Sequence, residues 1–550
     1  MRQYEMMELT FTGPAPAGSQ ACIDLTAVFS RAGKSIPVKG FYAGDGVYKV
    51  RFLPEEAGEY AYEVKGACLA APEKGSFVVE PGDGRHHGVV RPEGTHLRHA
   101  DGTWFYSFGT TIYGLASQSR ALIDETMQSL ADAPFNKVRL CVFPKHYNYN
   151  HNEPDHYAFQ RKPGAEDRDF SVKPDTPAMP ASSVTAPKNE VWDVDRPNFA
   201  FWDAFEARLR ELADLGIQAD LILFHPYDRW GFASMPMADN LTYLDYLLRR
   251  FSAFPNLWWS LANEYDLCAA KTLEDWYAIE CFVAENDPYH HMLSNHNCFR
   301  PWEWDRANVT HVSWQSKQLY RIAELARRYG KPVLIDECRY EGNIPEFWGN
   351  ISGQEMTARF WRVMAQGGYC THGETFLPGT EMGDKATDTG EQEVVWWARG
   401  GKLNGESPKR IAFLREIIES LPGPLDAARD GFGFMIGMTN EEIDAALADF
   451  PPHFRGFLSK LTGLPPAERD KFLAVEYSYA GRCGDEAFLW YKDDQCCVSA
   501  ALNLPEGKTY AIDVIDTWEM TRTRVQTGAS GRVTVKLPGK PQMAVLAIAE

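Results

Sequence analysis

Between about residues 95 and 423 the chain repeats one rhythm, a short apolar run, a polar loop and an amphipathic segment. Eight such runs read as strands: WFYSFG (104–109), KVRLCV (137–142), ADLILF (219–224), LWWSLA (257–262), HMLSN (291–295), VTHVS (309–313), PVLID (332–336) and GYCTHG (368–373). Between them lie helical patterns such as FWDAFEARLRELADLG, where Phe205, Leu209, Leu212 and Leu215 recur on one face and Gly216 closes the turn. A later helix is predicted to open with Ser407 as N-cap and Pro408 as its first residue. Parallel strands need crossover helices and burial on both faces, so eight such units predict an α/β fold, a closed (β/α)8 TIM barrel. A doubly wound open sheet is the alternative, and the missing GxGxxG weighs against it.

A chain of 550 residues exceeds one barrel, and domain-size priors allow roughly two to four domains. Residues 1–85 alternate short β-rich runs (IDLTAVF, GVYKVRFL, YAYEVKG, SFVVE) with Gly, Pro and Asp turns, which predicts an N-terminal β-sandwich. PGDGRHHG reads as a linker into a barrel domain over 86–423. A helical segment (424–470) and a C-terminal β-sandwich (471–550) follow. The loop over about 146–196 is too long for a bare connector, and it follows the second strand, on the face where barrels keep their sites.

With 56 basic residues against 75 acidic ones the net charge is −19, and no basic tract offsets it, so nucleic acid and anionic membrane are excluded as partners. No apolar run reaches the length of a membrane span, and the N-terminus lacks the apolar core of a signal peptide. Eleven cysteines spread without a CxxC pair, several in apparent core strands (Cys141, Cys338, Cys370), point to reduced thiols and a cytoplasmic protein.

The carboxyl ends of barrel strands carry the chemistry, and here they are unusually polar. In chain order they offer Tyr113, Arg139, His225 with Tyr227, Asp228 and Trp230, Asn263 with Glu264, Asn295 with His296, Trp314 with Gln315, Asp336 with Glu337, and His372 with Glu374. Strands four and seven face each other across a ring of eight, and 73 residues separate Glu264 from Glu337, as three βα units require. Paired carboxyl groups about 5–5.5 Å apart suit retaining glycoside hydrolysis, one giving a proton to the leaving oxygen and the other attacking the anomeric carbon. On this reading a Trp-rich, cation-poor surrounding keeps Glu264 protonated while Arg139 keeps Glu337 ionised, and Asn263 binds a sugar hydroxyl. Strict alternation sends Asn263 and Glu264 to opposite faces, so both reach the site only if the strand twists or bulges.

Each residue has a blander reading. Arg139 also suits a core arginine paired with Asp336, Glu341 or Glu374. The histidines at strand ends (His225, His296, His311, His372) allow a metal-dependent barrel hydrolase, disfavoured by the lack of an HxH pair on the first strand. Sugar binding by His225 and His296, and ring stacking by Trp230, Trp314 and, more weakly, Trp396–Trp397, are the carbohydrate readings. A non-catalytic carbohydrate-binding barrel is the third class, against which the intact pair of glutamates speaks.

NE at the end of strand four and a second Glu in LIDE at strand seven resemble the clan A glycoside hydrolases. ADGTWFYSFGTTIYG, DRPNFAFWDAFEARLRELADLGIQADLILFHPYDRWGF and NEYD are similar to the apiosidase-like branch, whose frequent N-terminal immunoglobulin-like domain is matched by GFYAGDGVYKVRFLPEEAGEYAYEV. The resemblance covers most of the chain and is weakest over 424–470. It implies a cofactor-free, metal-free retaining glycosidase acting on an oligosaccharide or glycoside, with Glu264 as acid/base and Glu337 as nucleophile. The remaining site set is Tyr113, Arg139, His225, Asp228, Trp230, Asn263, His296, Trp314 and Glu374. The eighth strand, THGETF, departs from the clan in lacking the aromatic residue that many of its members place there.

Overall fold

The computed structural model describes residues 1–550 except 148, 150–153, 171–185, 378–394, 449 and 476. Part of the long loop after the second strand, and part of the loop after the eighth, lie outside the described residues.

The central sheet has eight parallel strands: β1 (Phe108–Thr111), β2 (Lys137–Cys141), β3 (Gln218–Phe224), β4 (Leu257–Ala262), β5 (Met292–Ser294), β6 (Val312–Gln315), β7 (Val333–Glu337) and β8 (Tyr369–His372). Their hydrogen-bonded order is β5, β4, β3, β2, β1, β8, β7, β6, so the chain runs once around a barrel. The seam between β5 and β6 is closed mainly by side chains. Thr310 N–H donates to the Leu293 carbonyl (2.9 Å), Thr310 Oγ1 accepts from Leu293 N–H (2.8 Å), and Ser294 Oγ donates to the His311 carbonyl (2.7 Å).

The crossovers are α1 (Arg120–Ala131), α2 (Phe199–Asp214), α3 (Met237–Phe251), α4 (Leu273–Asn286), α5 (Ile322–Tyr329), α6 (Gly353–Met364) and α7 (Ser407–Glu419). Residues 295–311, between β5 and β6, form no helix. In α2, Phe205, Leu209 and Leu212 are fully buried, whereas Leu215 caps the helix exposed before Gly216 turns with φ +71°. The predicted cap of α7 shifts by one residue: Glu406 is the N-cap, and Ser407 begins the helix with its hydroxyl on the Glu341 carboxylate.

The first and sixth strands start later than the apolar runs predict. Trp104 pairs with Arg98, and Phe105 N–H bonds the Leu97 carbonyl (2.9 Å), so WFYS begins on a hairpin (Val90–Glu93 and His96–His99) before β1. Val309–His311 belong to the seam instead of to β6. Apolar runs mark burial, and burial extends past the ladder at both places.

The barrel interior is ionic. Lys137 from β2 places Nζ 2.6 Å from Asp336 and 3.2 Å from Asp220, and Arg139 places Nη1 2.9 Å from Asp336. Ser313 Oγ (2.6 Å) and Thr371 Oγ1 (3.1 Å) complete the shell of Asp336. All four charged groups are buried, and although burial opposes it, Lys137 and Arg139 hold Asp336 well below the usual carboxylate range.

In front of the barrel, antiparallel sheets of four strands (25–31, 34–39, 58–66 and 73–79) and three strands (7–12, 41–44 and 47–52) share one core. Ala253 and Tyr289 of the barrel enter that core, which fixes it against α3 and α4. Behind the barrel, three short helices (440–447, 452–458 and 466–475) precede a six-stranded sheet and a two-stranded one. Leu489, Tyr491, Ile515 and Leu546 of that sheet pack into the barrel core, with Tyr491 stacked on Trp361 of α6 at 5.6 Å. No helix among the described residues is long and apolar enough to cross a membrane.

Candidate active site

At the carboxyl end of the strands lies a cavity of about 470 Å³. Tyr113, Lys145, Tyr227, Asn263, Glu264, Gln315, Glu337, Tyr340, Trp348 and Trp397 all face it.

Glu264 reaches it by a backbone irregularity. The ladder of β4 ends at Ala262, and Glu264 takes the left-handed conformation (φ +53°, ψ +56°), uncommon for a residue with a Cβ. This turn sends Asn263 and Glu264 to the same cavity, where strict alternation would separate them. Neighbouring bonds hold it: Glu264 N–H donates to His296 Nδ1 (3.3 Å), and Tyr265 N–H donates to the His296 carbonyl (3.0 Å). Asp266, two residues on, accepts the N–H groups of Cys298, Phe299 and Arg300 at 2.7–2.9 Å and anchors the loop after β5.

Glu337 ends β7, where a register shift between Trp314 and Gln315 pairs Gln315 with Glu337. The shift brings Gln315 Nε2 to 3.3 Å from Glu264 Oε1. Each carboxylate has a tyrosine donor, Tyr227 OH to Glu264 Oε2 and Tyr113 OH to Glu337 Oε1. Asn263 links the two halves, its Oδ1 2.8 Å from the Tyr113 hydroxyl, whose single proton it shares with Glu337, and its Nδ2 donating to Glu264 Oε2 (3.2 Å). The tyrosines are positioned by neighbouring loops. Tyr113 N–H bonds the Trp397 carbonyl (3.0 Å), and His146 N–H bonds that of Tyr227 (2.8 Å).

Burial, and then the charge of Glu264, push Glu337 up to about 7 against the pull of Tyr113, Lys145 and Arg139. Here the structure departs from the expectation that Arg139 keeps Glu337 ionised. Arg139 does lower Glu337, but its ion pairs go to Asp336 and Asp220, and its guanidinium is buried below the cavity. The ammonium of Lys145 lies 3.6 Å from the Tyr113 ring centre, 4.3 Å from Tyr227 and 4.6 Å from Trp397, and burial lowers its pKa.

Of the residues singled out in the sequence, Tyr113, Tyr227, Asn263, Glu264, Gln315, Glu337 and Trp397 line the cavity, and the others do not. His296 supports Glu264 from behind. His225 is buried, its Nε2 facing the Phe143 carbonyl at 3.2 Å, and burial pushes it down to about 3. Asp228 accepts the N–H groups of Trp230 (2.8 Å), Gly231 (3.2 Å) and Ala233 (2.6 Å), which shapes the HPYDRWGF turn. Asp228 and Trp230 line a separate cavity of about 220 Å³. Trp314 packs edge-on against Trp304 at 6.3 Å, and Glu374 is buried beside His372. Among the described residues, the His, Asp and Glu side chains that converge as a metal site would are Glu341, His372 and Glu374, none of which faces the 470 Å³ cavity.

Among the residues named together at one strand end or loop, the cavity takes Tyr227 over His225 and Asp228, Gln315 over Trp314, and Trp397 over Trp396. A shift of one residue along a strand reverses the side chain, which separates Gln315 from Trp314. Lys145, Tyr340 and Trp348 carry no motif. The aromatic absent from THGETF is supplied by these loops: Tyr340 packs where a Cβ at Gly373 would stand 2.3 Å from its ring, and Trp348 lies 4.9 Å from Trp397.

A barrel with two strand-end glutamates in one cavity defines a glycoside hydrolase, and the comparisons agree. Residues 91–423 match the family model "Apiosidase-like, catalytic domain", and the chain belongs to that family. Residues 1–67 and 476–547 match two domain families of unknown function. A "putative glycoside hydrolase" of Bacteroides vulgatus ATCC 8482 shares 31% identity over 100% of this chain and 99% of its own, with a TM-score of 0.80. A glycoside hydrolase family 5 structure from the same organism is 16% identical over 85% of this chain and 93% of its own (TM-score 0.56), a likeness of fold alone. No curated protein matches.

Proposed function

We propose that the enzyme is a retaining β-glycosidase that removes terminal sugars from oligosaccharides by double displacement. The observation that carries the reading is the pair Glu264 and Glu337 in one cavity, each bonded to its own tyrosine, with burial and the charge of Glu264 raising Glu337 to about 7.

In the productive protonation state the proton sits on Glu264 and the charge on Glu337, where Tyr113 OH, Lys145 and Arg139 favour it. Glu337 attacks the anomeric carbon as the glycosidic bond breaks, and Glu264 gives its proton to the leaving oxygen. Glu264, now ionised, takes a proton from water, which displaces Glu337 from the glycosyl-enzyme. Asn263 Nδ2 has a second N–H to offer a sugar hydroxyl, and Trp348 and Trp397 offer ring faces for stacking. A cavity of about 470 Å³, walled by aromatic residues, supports the choice of terminal sugars over an open cleft. Eleven cysteines without a disulfide framework, four of them buried free thiols, support a cytoplasmic setting.

Glu264→Ala and Glu337→Ala, assayed on a panel of aryl β-glycosides, test the assignment. Both variants are expected to lose turnover, and near wild-type rates in either would refute the pair. Product of inverted anomeric configuration would refute the retaining course while leaving the hydrolase assignment standing.

A further inference from the structure

Beside the active site, behind the loops that carry Tyr340 and Trp397, the short strands Glu341–Gly342 and Glu374–Thr375 pair in parallel. They bring Glu341 and Glu374 together next to His372, and all three are buried. One ligand atom from each lies within 4.8 Å of the other two.

The cluster is unbalanced as it stands. Glu341 is well supplied, accepting the N–H groups of Glu406 (2.7 Å) and Ser407 (3.2 Å) and the Ser407 hydroxyl (2.5 Å). Glu374 Oε2 accepts Asn404 N–H (2.7 Å), but Glu374 Oε1 and His372 Nε2 have no hydrogen-bond partner although both are buried. They face each other at 3.6 Å, too far for a hydrogen bond. Two ligands of a tetrahedral ion at about 2.0–2.1 Å stand about 3.4 Å apart, close to that separation.

The surroundings fit a cation. His372 is held by Phe135 stacked at 4.6 Å and by Nδ1 at 3.2 Å from Thr110 Oγ1, which also accepts the Trp396 indole N–H (2.9 Å). Engaging Nδ1 in this way orients the ring and leaves Nε2 to a ligand. A Cβ at Gly405 would stand 2.4 Å from Glu341 Oε2 and 2.5 Å from Glu374 Oε1, so glycine leaves both oxygens room. Arg410, the nearby guanidinium, bonds the Trp518 and Glu406 carbonyls instead of these carboxylates.

We infer that Glu341, His372 and Glu374 bind a divalent first-row transition ion, of the class of Zn²⁺, which pins the loops after β7 and β8 behind the active site. Two carboxylates and one imidazole are a borderline-soft set that favours such an ion over Ca²⁺ or Mg²⁺. The role is structural. The ion ties residue 341, next to Tyr340, to the segment 404–407 that follows Trp397, and no reaction step passes through it.

Metal analysis of the purified full-length chain, from cells grown with added Zn²⁺, should find close to one ion per chain that survives dialysis. Glu374→Gln should retain less than a tenth of it, and the near-isosteric Thr110→Val, which removes the outer bond to His372 together with that to the Trp396 indole but touches no ligand, should weaken Zn²⁺ binding about 10–100-fold. The thermal midpoint of the wild-type chain should fall on prolonged exposure to a strong chelator and recover with Zn²⁺. A wild-type chain without bound transition metal, with a midpoint that neither chelator nor Zn²⁺ moves, would overturn the inference, as would equal metal content in Glu374→Gln. If Glu374→Gln fails to fold, the wild-type measurements and Thr110→Val decide. None of these readouts depends on glycosidase activity.

Discussion

Asp336 and Glu337 are adjacent in sequence, both buried or nearly so at the end of β7, and their environments treat them in opposite ways. Asp336 turns into the barrel, where Lys137 and Arg139 hold its carboxyl ionised. Glu337 turns into the cavity, where burial and the charge of Glu264 push it up to about 7. One carboxylate stabilises the barrel and the other keeps a proton in play. Burial is common to both, so the difference lies in the partner: two cations for Asp336, a second carboxylate for Glu337.

Exchanging function for structure at these two positions breaks the comparison most sharply. Glu337→Gln should lower kcat/KM by at least about 10³-fold while the fold survives, measured by steady-state kinetics beside circular dichroism. Asp336→Asn should do the converse, costing about 3–5 kcal/mol in denaturant unfolding because it leaves two buried cations, Lys137 and Arg139, with Asp220 as their one remaining carboxylate partner. Equal loss of stability in both variants would erase the distinction.

The pH dependence of stability should carry opposite signs. Glu337 is raised in the folded chain from an ordinary 4.5 to about 7, so its contribution is present below 4.5 and is lost as pH rises through about 7, on the order of 3 kcal/mol. Asp336 is lowered, so its contribution is present above its ordinary 3.8 and is lost as pH falls below that value. In unfolding curves across pH 3–8 the wild type should show both slopes, and Glu337→Gln and Asp336→Asn should each lose the one that belongs to the replaced residue. In the wild type, kcat/KM should fall above about pH 7, where the raised carboxyl of Glu337 loses its proton and the site no longer holds one to give.

Smaller changes sharpen the picture. Tyr113→Phe removes the hydroxyl that favours ionised Glu337, and should move the alkaline limb of kcat/KM upward with roughly a tenfold loss at the optimum. Gln315→Ala removes a 3.3 Å bond to Glu264 and should cost only about threefold, with unchanged stability. A shift of that limb to lower pH in Tyr113→Phe would contradict the role given to the hydroxyl.

The amino-acid sequence by itself determined the barrel, because eight apolar runs separated by helical patterns leave few other ways to bury both faces of parallel strands. It determined as well which acids end opposite strands, since their order and spacing around the ring fix Glu264 against Glu337. Tertiary structure alone decided the rest. That Asn263 and Glu264 share a face depends on one left-handed residue and on His296 behind it. That Gln315 enters the cavity in place of Trp314, and Tyr227 in place of His225 and Asp228, depends on strand-end rotations that periodicity does not encode. The partners of Arg139 were open in the sequence because Asp220 and the adjacent acids Asp336 and Glu337 all lie far from it along the chain, and only closure of the barrel settles which of them share its interior.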